Sequence, residues 1–165
     1  NDLHLCTRII LPEGQTEACS YDTLGLPSVV TDALGRRQVR LWTELGAPWQ
    51  ITDASGAATT FTYDDCGNVT SMTEPSGLVT AYVYDKRGLP IQIEDAKGGT
   101  KRLRWDDRAL LRSYTDCSNR TTMYTYDGWG NLQSQRDAAG NEMREVHDAT
   151  GLLRSLSQTE STHRA

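Results

Sequence analysis

The sequence predicts an all-β protein, an antiparallel meander of about fifteen short strands. Turn-forming residues recur every ten or eleven positions, which leaves no room for three turns of helix. The segments between them are six or seven residues long and rich in Thr, Val, Ile and aromatic residues, which favour strands. Phe61 with Tyr63 and Tyr82 with Tyr84 alternate in period two, which places each pair on one face of a strand.

A 21-residue repeat sets this strand pattern. Each unit begins at a ring, usually followed by an acid: Tyr21-Asp22, Trp42-Thr43, Tyr63-Asp64, Tyr84-Asp85, Trp105-Asp106, Tyr126-Asp127 and His147-Asp148. Four residues after the ring come Gly25, Gly46, Gly67, Gly88, Ala109, Gly130 and Gly151. A second acid follows, with Gly or Asn three residues later: Asp32 and Gly35, Asp53 and Gly56, Glu74 and Gly77, Asp95 and Gly98, Asp116 and Asn119, Asp137 and Gly140. Residues 1–165 are therefore predicted to be a single run of about eight units, with no separate domain.

Each unit holds two Asp-x-x-Gly tetrads, and such tetrads predict β-turns. Asp is favoured at the first position of a type I turn and Gly at the fourth, where it can take a positive φ. The Asp carboxylate can accept hydrogen bonds from backbone N–H groups within the turn. The predicted turns begin at Asp22, Asp32, Thr43, Asp53, Asp64, Glu74, Asp85, Asp95, Asp106, Asp116, Asp127, Asp137 and Asp148.

The residue at the fourth position of a tetrad carries further predictions. Asn119 is the best substitute for Gly at positive φ, whereas Ala109 is a poorer one and predicts a distorted turn. Valine should be far more harmful at Gly67 or Gly130 than at the two glycines outside the repeat positions, Gly99 and Gly128.

The rings predict an extended apolar and aromatic face. Further period-two pairs are Leu103 with Trp105, Tyr124 with Tyr126, Trp49 with Ile51, and Ile91 with Ile93. Packing that stiffens the sheet is favoured over a surface for stacking sugars or holding a client, because the rings recur with the turns. An open sheet rarely exceeds about ten strands without curling, so this one is expected to roll up or to be covered by other parts of its protein.

Composition and residue spacing argue against several other functions. The formal charge of −5 and pI near 5.1 argue against a generally basic nucleic-acid surface. No apolar run approaches the roughly 18–20 residues of a membrane span, and no signal peptide is recognisable at Asn1. The spacing of the cysteines (Cys6, Cys19, Cys66, Cys117) and of the histidines (His4, His147, His163) is not that of a zinc site. Nothing in the spacing of the cysteines requires disulfides.

The remaining candidate sites have plainer explanations. In the pairs Asp64-Asp65 and Asp106-Asp107 one acid already serves a turn, so catalysis or Ca²⁺ binding is disfavoured. His147 occupies a ring position, and no Gly-x-Ser-x-Gly nucleophile motif occurs. A cationic stretch is flanked by four acids and is interpreted as solvated surface, although it could contact an acidic partner; it comprises Lys97, Lys101, Arg102, Arg104 and Arg108. We expect no catalytic, cofactor-binding or metal-binding residue.

The repeat units resemble those of the Rhs, or YD-repeat, family, most closely at residues 63–69 and 126–132. The resemblance extends over residues 21–152 at least. It implies a long β-sheet that spirals into a hollow shell. In bacterial polymorphic toxins such shells enclose a variable C-terminal toxin domain until delivery. Insecticidal toxin complexes have a similar shell, and the teneurins of animal cell surfaces carry a related one.

The sequence also departs from complete members of that family. Members that release a toxin carry a core segment with a self-cleaving aspartate site, rich in Asp-Pro, and no Asp-Pro dipeptide occurs here. Asn1 and Ala165 both fall inside a unit, so we expect a piece of a longer array.

The resemblance implies a non-catalytic wall segment of a shell. Its expected partners are neighbouring repeats, an enclosed toxin domain and secretion or delivery proteins, without nucleic acid. The lack of a disulfide framework favours a bacterial protein made in the cytoplasm and then exported. The alternative is an extracellular repeat surface that binds glycans or a cell-surface partner.

Overall fold

The computed structural model describes residues 5–160, which form fifteen β-strands and no helix. The strands are β1 (Arg8–Ile10), β2 (Thr16–Tyr21), β3 (Pro27–Thr31), β4 (Arg37–Trp42), β5 (Pro48–Thr52), β6 (Ala58–Tyr63), β7 (Val69–Thr73), β8 (Val79–Tyr84), β9 (Pro90–Glu94), β10 (Thr100–Trp105), β11 (Leu111–Thr115), β12 (Thr121–Tyr126), β13 (Leu132–Arg136), β14 (Glu142–His147) and β15 (Leu153–Thr159). His4 and His163 lie outside the described residues. Within the described range no helix is available to cross a membrane.

The chain divides into two compact units, one ending at Thr80 and the other beginning at Ala81. The boundary between the units falls within β8. Strands β1 to β7 pair antiparallel in sequence order, and β8 to β15 do the same. A six-residue strand that ends on a ring alternates with a five-residue strand, as β4 does with β5. These bounds recur every 21 residues, which confirms the predicted all-β meander and its period.

A tight turn lies at each of the thirteen tetrads. In the turn at Asp64, the Gly67 N–H donates to the Asp64 carbonyl at 3.0 Å, and the Asp64 N–H donates to the Asn68 carbonyl at 3.0 Å. All thirteen turns have this pair of bonds, and the glycines at the fourth position have φ between +78° and +94°. This is the pattern of a three-residue hairpin loop that ends in a G1 bulge.

The turn at Ala109 is not distorted, so that prediction is wrong. Ala109 has a φ of +61°, close to the +59° of Asn119. The Ala109 N–H donates to the Asp106 carbonyl at 3.1 Å, and the Asp106 N–H donates to the Leu110 carbonyl at 2.9 Å. The hydrogen bonds of the turn therefore hold an alanine in the left-handed region without losing a contact.

A β-bulge, which the sequence analysis did not predict, follows each turn that comes after a ring. Thr62 is opposite Ser71 and Tyr63 is opposite Val69, so that Thr70 is an extra residue in β7. The Thr62 hydroxyl lies 2.8 Å from the Thr70 hydroxyl and 2.7 Å from the Ser71 hydroxyl. Two successive side chains of the five-residue strand therefore lie on the same face.

The bulge corrects part of the predicted alternation. Trp49 and Ile91 occupy the extra position in β5 and β9, so neither keeps a period-two relation to Ile51 or Ile93. In each unit we call the face that carries residues such as Phe61 and Tyr124 the ring face, and the other the opposite face. Cross-strand pairs on the ring face are Phe61 with Met72, Tyr82 with Ile93, and Leu103 with Tyr114.

Neither unit contains a hydrophobic core. No hydrophobic residue in the described range is buried, and Ser113, at 7% exposure, is the only buried residue there. Most ring-face side chains are half-buried against each other, whereas Leu41, Val83 and Met123 on the opposite face are exposed. The fold therefore depends on turns, ladders and cross-strand contacts instead of a packed interior.

Gly99 also differs from the prediction that valine would be far less harmful there than at Gly67 or Gly130. A Cβ at Gly99 would lie 2.6 Å from an Asp95 carboxylate oxygen and 3.0 Å from the Cys117 Cβ. A side chain there would disturb the neighbouring turn, so Gly99 is not a neutral position. A Cβ at Gly128 would meet nothing within 4 Å, and its φ is not positive.

Replacing Gly67 by Val should lower the free energy of unfolding by about 1–3 kcal/mol, because the φ of +84° at this position is strongly disfavoured for a β-branched residue. Gly128→Val is the matched control and should cost less than about 1 kcal/mol. Urea unfolding followed by circular dichroism measures both variants. Equal losses would contradict the assignment of backbone strain to the fourth turn position.

Candidate functional site

The turn carboxylates form one repeated set of interactions along both edges of the sheet in each unit. Asp64 Oδ1 accepts hydrogen bonds from the Cys66 N–H at 3.0 Å and the Asn68 N–H at 2.8 Å. The Asp64 carbonyl already accepts from Gly67, so the side chain supplies the acceptor that the Asn68 amide needs. The same two bonds occur at Asp22, Asp32, Asp53, Asp85, Asp95, Asp106, Asp116, Asp127, Asp137 and Asp148.

The two tetrads without Asp have weaker substitutes. Thr43 Oγ1 accepts only the Ala47 N–H, at 3.1 Å. At the Glu74 turn, the Ser76 hydroxyl accepts the Leu78 N–H at 3.4 Å instead of the acid. A shorter or longer side chain than Asp thus cannot reach both amides.

These hydrogen bonds shift the titration of the turn acids. The Asn68 side-chain amide, together with backbone N–H groups, lowers the pKa of Asp64. The Arg36 guanidinium, whose Nε lies 2.6 Å from Asp32 Oδ2, lowers the pKa of Asp32. At Asp106 the pKa is lowered mainly by the Leu110 N–H. The carboxylates are therefore stabilised in their charged form as structural acceptors.

Five of the rings at the repeat positions reach back to the preceding repeat. The Tyr63 hydroxyl donates to the Pro48 carbonyl at 2.6 Å, fifteen residues earlier. The same spacing joins Tyr21 to Cys6, Trp42 to Pro27, Trp105 to Pro90 and Tyr126 to Leu111. Burial raises the pKa of Tyr63 above its ordinary value. His147 instead lies 3.5 Å from the Glu145 carboxylate.

Two arginines join successive turns along one edge of the second unit. Arg87 Nη1 donates to the Asp106 carbonyl at 2.7 Å. Arg108 Nη1 donates to the Gly128 carbonyl at 3.0 Å, and its Nη2 donates to the Asp127 carbonyl at 3.3 Å. Both residues stand at the third position of a turn that follows a ring. The two contacts therefore link the repeat that begins at Tyr84 to the one that begins at Trp105, and that repeat to the one that begins at Tyr126.

The side chains that the sequence offered for chemistry do not assemble into a reactive centre in the described part of the chain. Asp64 and Asp106 are turn acceptors, while their neighbours Asp65 and Asp107 are exposed at the second turn position. No group of three His, Cys, Asp or Glu residues between 5 and 160 is placed to hold a metal ion. The four cysteines are free thiols.

The cationic stretch is divided by the fold. Lys97 lies in a turn and Arg108 binds the next turn, as described above. Lys101 pairs with Ile93 on the ring face, whereas Arg102 and Arg104 lie on the opposite face. The stretch therefore does not form one patch, and Arg102 and Arg104 come together with arginines from other strands.

Comparison with known proteins identifies the repeat. A model of the RHS Repeat family matches residues 44–79, 67–101 and 105–142. The crystal structure of TcdB2-TccC3-TEV has a similar fold, with a TM-score of 0.74 and 20% identity, over 88% of this chain and 9% of that one. No curated protein matches the sequence.

Two further solved structures are similar. The Photorhabdus luminescens Tc holotoxin pore with a substitution in TccC3 gives a TM-score of 0.74 at 15% identity, over 89% of this chain and 9% of that one. TcdB2-TccC3-Cdc42 gives 0.75 at 15% identity, over 92% and 9%. At these identities the likeness is one of fold, and this chain spans about a tenth of each relative's length.

Tyr126→Phe should lower the free energy of unfolding by about 0.5–1.5 kcal/mol, because it removes the 2.9 Å hydrogen bond to the Leu111 carbonyl. Tyr124→Phe, in the same strand, removes a hydroxyl without such a bond and should change stability by less than about 0.5 kcal/mol. Chemical unfolding of both variants measures the difference. Equal losses of stability in the two variants would refute the proposal that the hydroxyl of Tyr126 stabilises the contact between repeats.

Stability should fall in acid because of the turn carboxylates. Asp64 has a lowered pKa in the folded state, so its contribution is complete above the unfolded value near 4 and is lost as pH falls through the lower folded value. Asp64→Asn should therefore weaken the loss of stability below about pH 4. Asp65→Asn is the control. Its thermal stability, measured by unfolding from neutral to acidic pH, should change with pH as that of the unsubstituted chain does. Parallel curves for all three would contradict the assignment.

Proposed function

This chain belongs to the RHS repeat family, and on that premise we propose that it is a non-catalytic wall segment of a shell that encloses another polypeptide. The observation that carries the proposal is a set of fifteen strands with no buried hydrophobic residue between residues 5 and 160. Such faces acquire a function by being covered, on one side or both, by other parts of a larger protein.

The polypeptide that we propose as the passenger is a C-terminal toxin domain of the same parent. The fold neighbours support this proposal, because they are structures of Tc toxin components, and one of them is a crystal structure of TcdB2-TccC3 without its hypervariable C-terminal region. A bacterial protein that is exported with its passenger agrees with these relatives. Neighbouring repeats and delivery proteins would be the further partners.

A wall does not need catalytic groups, and the polar side chains described above make contacts that stabilise the sheet. The acids accept backbone N–H groups in turns, the ring tips donate to the preceding repeat, and Arg87 and Arg108 bind the following turn. Each of these contacts serves the continuity of the sheet within its unit. We therefore assign no enzymatic step to this segment.

Binding of glycans or of a cell-surface partner is the second candidate. Trp129, at the third position of a turn, is 82% exposed, and Trp49 at its bulge is 40% exposed. An exposed indole can stack on a sugar ring. Five of the rings at the repeat positions do not favour this role, because their polar tips donate to backbone carbonyls. They are Tyr21, Trp42, Tyr63, Trp105 and Tyr126.

The enclosure proposal predicts that removing whole repeats exposes the passenger. Deleting residues 63–146 from the parent takes out four 21-residue units and leaves Thr62 joined to His147, so the ring register is kept. Limited proteolysis should then digest the C-terminal domain that the intact parent protects. The parent with Trp129→Ala is the control, and it should protect the domain normally. Equal protection by the deletion and the intact parent would refute enclosure, and loss of glycan binding in Trp129→Ala, with the C-terminal domain still protected, would favour the second candidate.

A further inference from the structure

An open groove of about 440 Å³ lies on the opposite face of the second unit, over β10, β11 and β12. Three arginines line it, Arg102, Arg104 and Arg112, together with hydroxyl side chains and Met123. Ser113 lies opposite Arg104 and is 7% exposed, which places it at the floor. The groove is therefore polar at its base and cationic at its sides.

Strand register and the bulge together create this cluster. Arg104, Ser113, Met123 and Arg136 form one cross-strand row over β10 to β13. Arg112 is the extra residue of the bulge in β11, which brings its side chain to the same face as Ser113. Without the bulge, Arg112 would have alternated onto the ring face.

The charge on this face is strongly one-sided. Between β10 and β14 it carries five arginines (Arg102, Arg104, Arg112, Arg136, Arg144) and one acid, Glu142, a net charge of +4 in a chain whose total is −5. Glu142 lies 3.3 Å from Arg136 and 3.2 Å from Arg144, so it neutralises that end of the cluster.

The guanidinium groups at the groove lack comparable partners. Arg102 and Arg104 are exposed and have no ion pair or side-chain hydrogen bond with the described residues. Arg112 interacts only at longer range with Asp106 and Tyr126. The nearest acid of the adjoining strand on this face, Glu94, pairs with Thr100 in the ladder and forms no ion pair.

We propose that this groove binds an acidic segment of polypeptide in an extended conformation, with Arg102 and Arg104 receiving its carboxylates. The two arginines are two residues apart on β10, about 6.6–6.8 Å, which is the spacing of alternate residues in an extended chain. Each guanidinium presents a fork that fits a carboxylate. Met123, which is 52% exposed, offers apolar contact beside them. The site is defined by its own charges and applies whether or not the chain encloses a passenger.

A peptide fits this groove better than a nucleic acid does. Single-stranded nucleic acids are held by aromatic stacking as well as by charge, and no aromatic side chain lines the groove. The turn acids Asp106, Asp116 and Asp127 border the same strands at their ends. A long polyanion would pass these carboxylates, whereas a peptide with acids only at its centre would not.

Binding can be measured by fluorescence anisotropy with the 165-residue chain and a labelled synthetic peptide of alternating Glu and Thr residues. The double substitution Arg102→Gln and Arg104→Gln should weaken binding by about tenfold or more, since hydrogen bonds to charged groups are lost. The matched control is Arg36→Gln with Arg120→Gln. It removes the same charge from two exposed turn arginines and should keep the affinity.

Two further measurements test the spacing of the acids in the peptide and the sign of the charges at the groove. A peptide of the same composition with its Glu residues consecutive should bind more weakly than the alternating one. Arg102→Glu with Arg104→Glu should instead bind a peptide of alternating Lys and Thr, which keeps the test valid if the Gln variant fails to fold by circular dichroism.

Equal affinity in the Arg102/Arg104 and Arg36/Arg120 variants would overturn the proposal. So would oligothymidylate binding that is tighter than peptide binding and is lost in the Arg102/Arg104 variant, because the groove would then be a nucleic-acid site.

Discussion

The hydrogen bonds from one carboxylate oxygen to two backbone amides are the interaction on which the rest of this fold depends. At Asp64 they fix the Cys66 and Asn68 amides while the backbone closes the hairpin around them. Because the turn is complete within five residues, the next strand starts at once and in a fixed register. Eleven tetrads use Asp in this way, so strand length, strand order and the 21-residue period within each unit follow from a local event repeated many times. A protein made of local hairpins needs few long-range contacts to define its topology.

The features that were predictable from sequence are those that one residue type determines locally. An Asp followed three residues later by Gly specifies its turn without reference to distant residues, which is why all thirteen turns could be placed. The turn at Ala109 was wrongly predicted to be distorted, because the prediction considered only the preference of alanine for negative φ. The hydrogen bonds around Asp106 outweigh the modest cost of an alanine at +61°. Gly99 was misjudged because its constraint lies in Asp95 and Cys117, and their approach is a matter of three-dimensional packing.

The bulge and the ring-tip bonds were not predictable for a different reason. The acceptor of Tyr63 is the carbonyl of Pro48, and every residue has a carbonyl, so no residue type marks the position. The bulge then decides which face receives Trp49, Ile91 and Arg112. Strict alternation assigned the first two incorrectly, and it could not have found a groove that unites Arg112 with Arg104. The cationic stretch seen in the sequence is consequently divided, because neighbours in sequence lie on different faces of a strand, and of its residues Arg102 and Arg104 line the groove.

No hydrophobic residue between positions 5 and 160 is buried, so the source of stability and the surfaces available for function differ from those of a domain with a core. In a domain with a core, the interior supplies stability and the surface is left for function. In these units stability comes from turns, ladders and links such as Tyr126 to the Leu111 carbonyl, so each repeat is supported by the one before it. Both faces of the sheet then remain available for contact. The ring face is constrained by its repeated side chains, whereas the opposite face can change its charge without disturbing a turn or a ring. Specificity for a partner is therefore most easily encoded on the opposite face, which is where Arg102 and Arg104 lie.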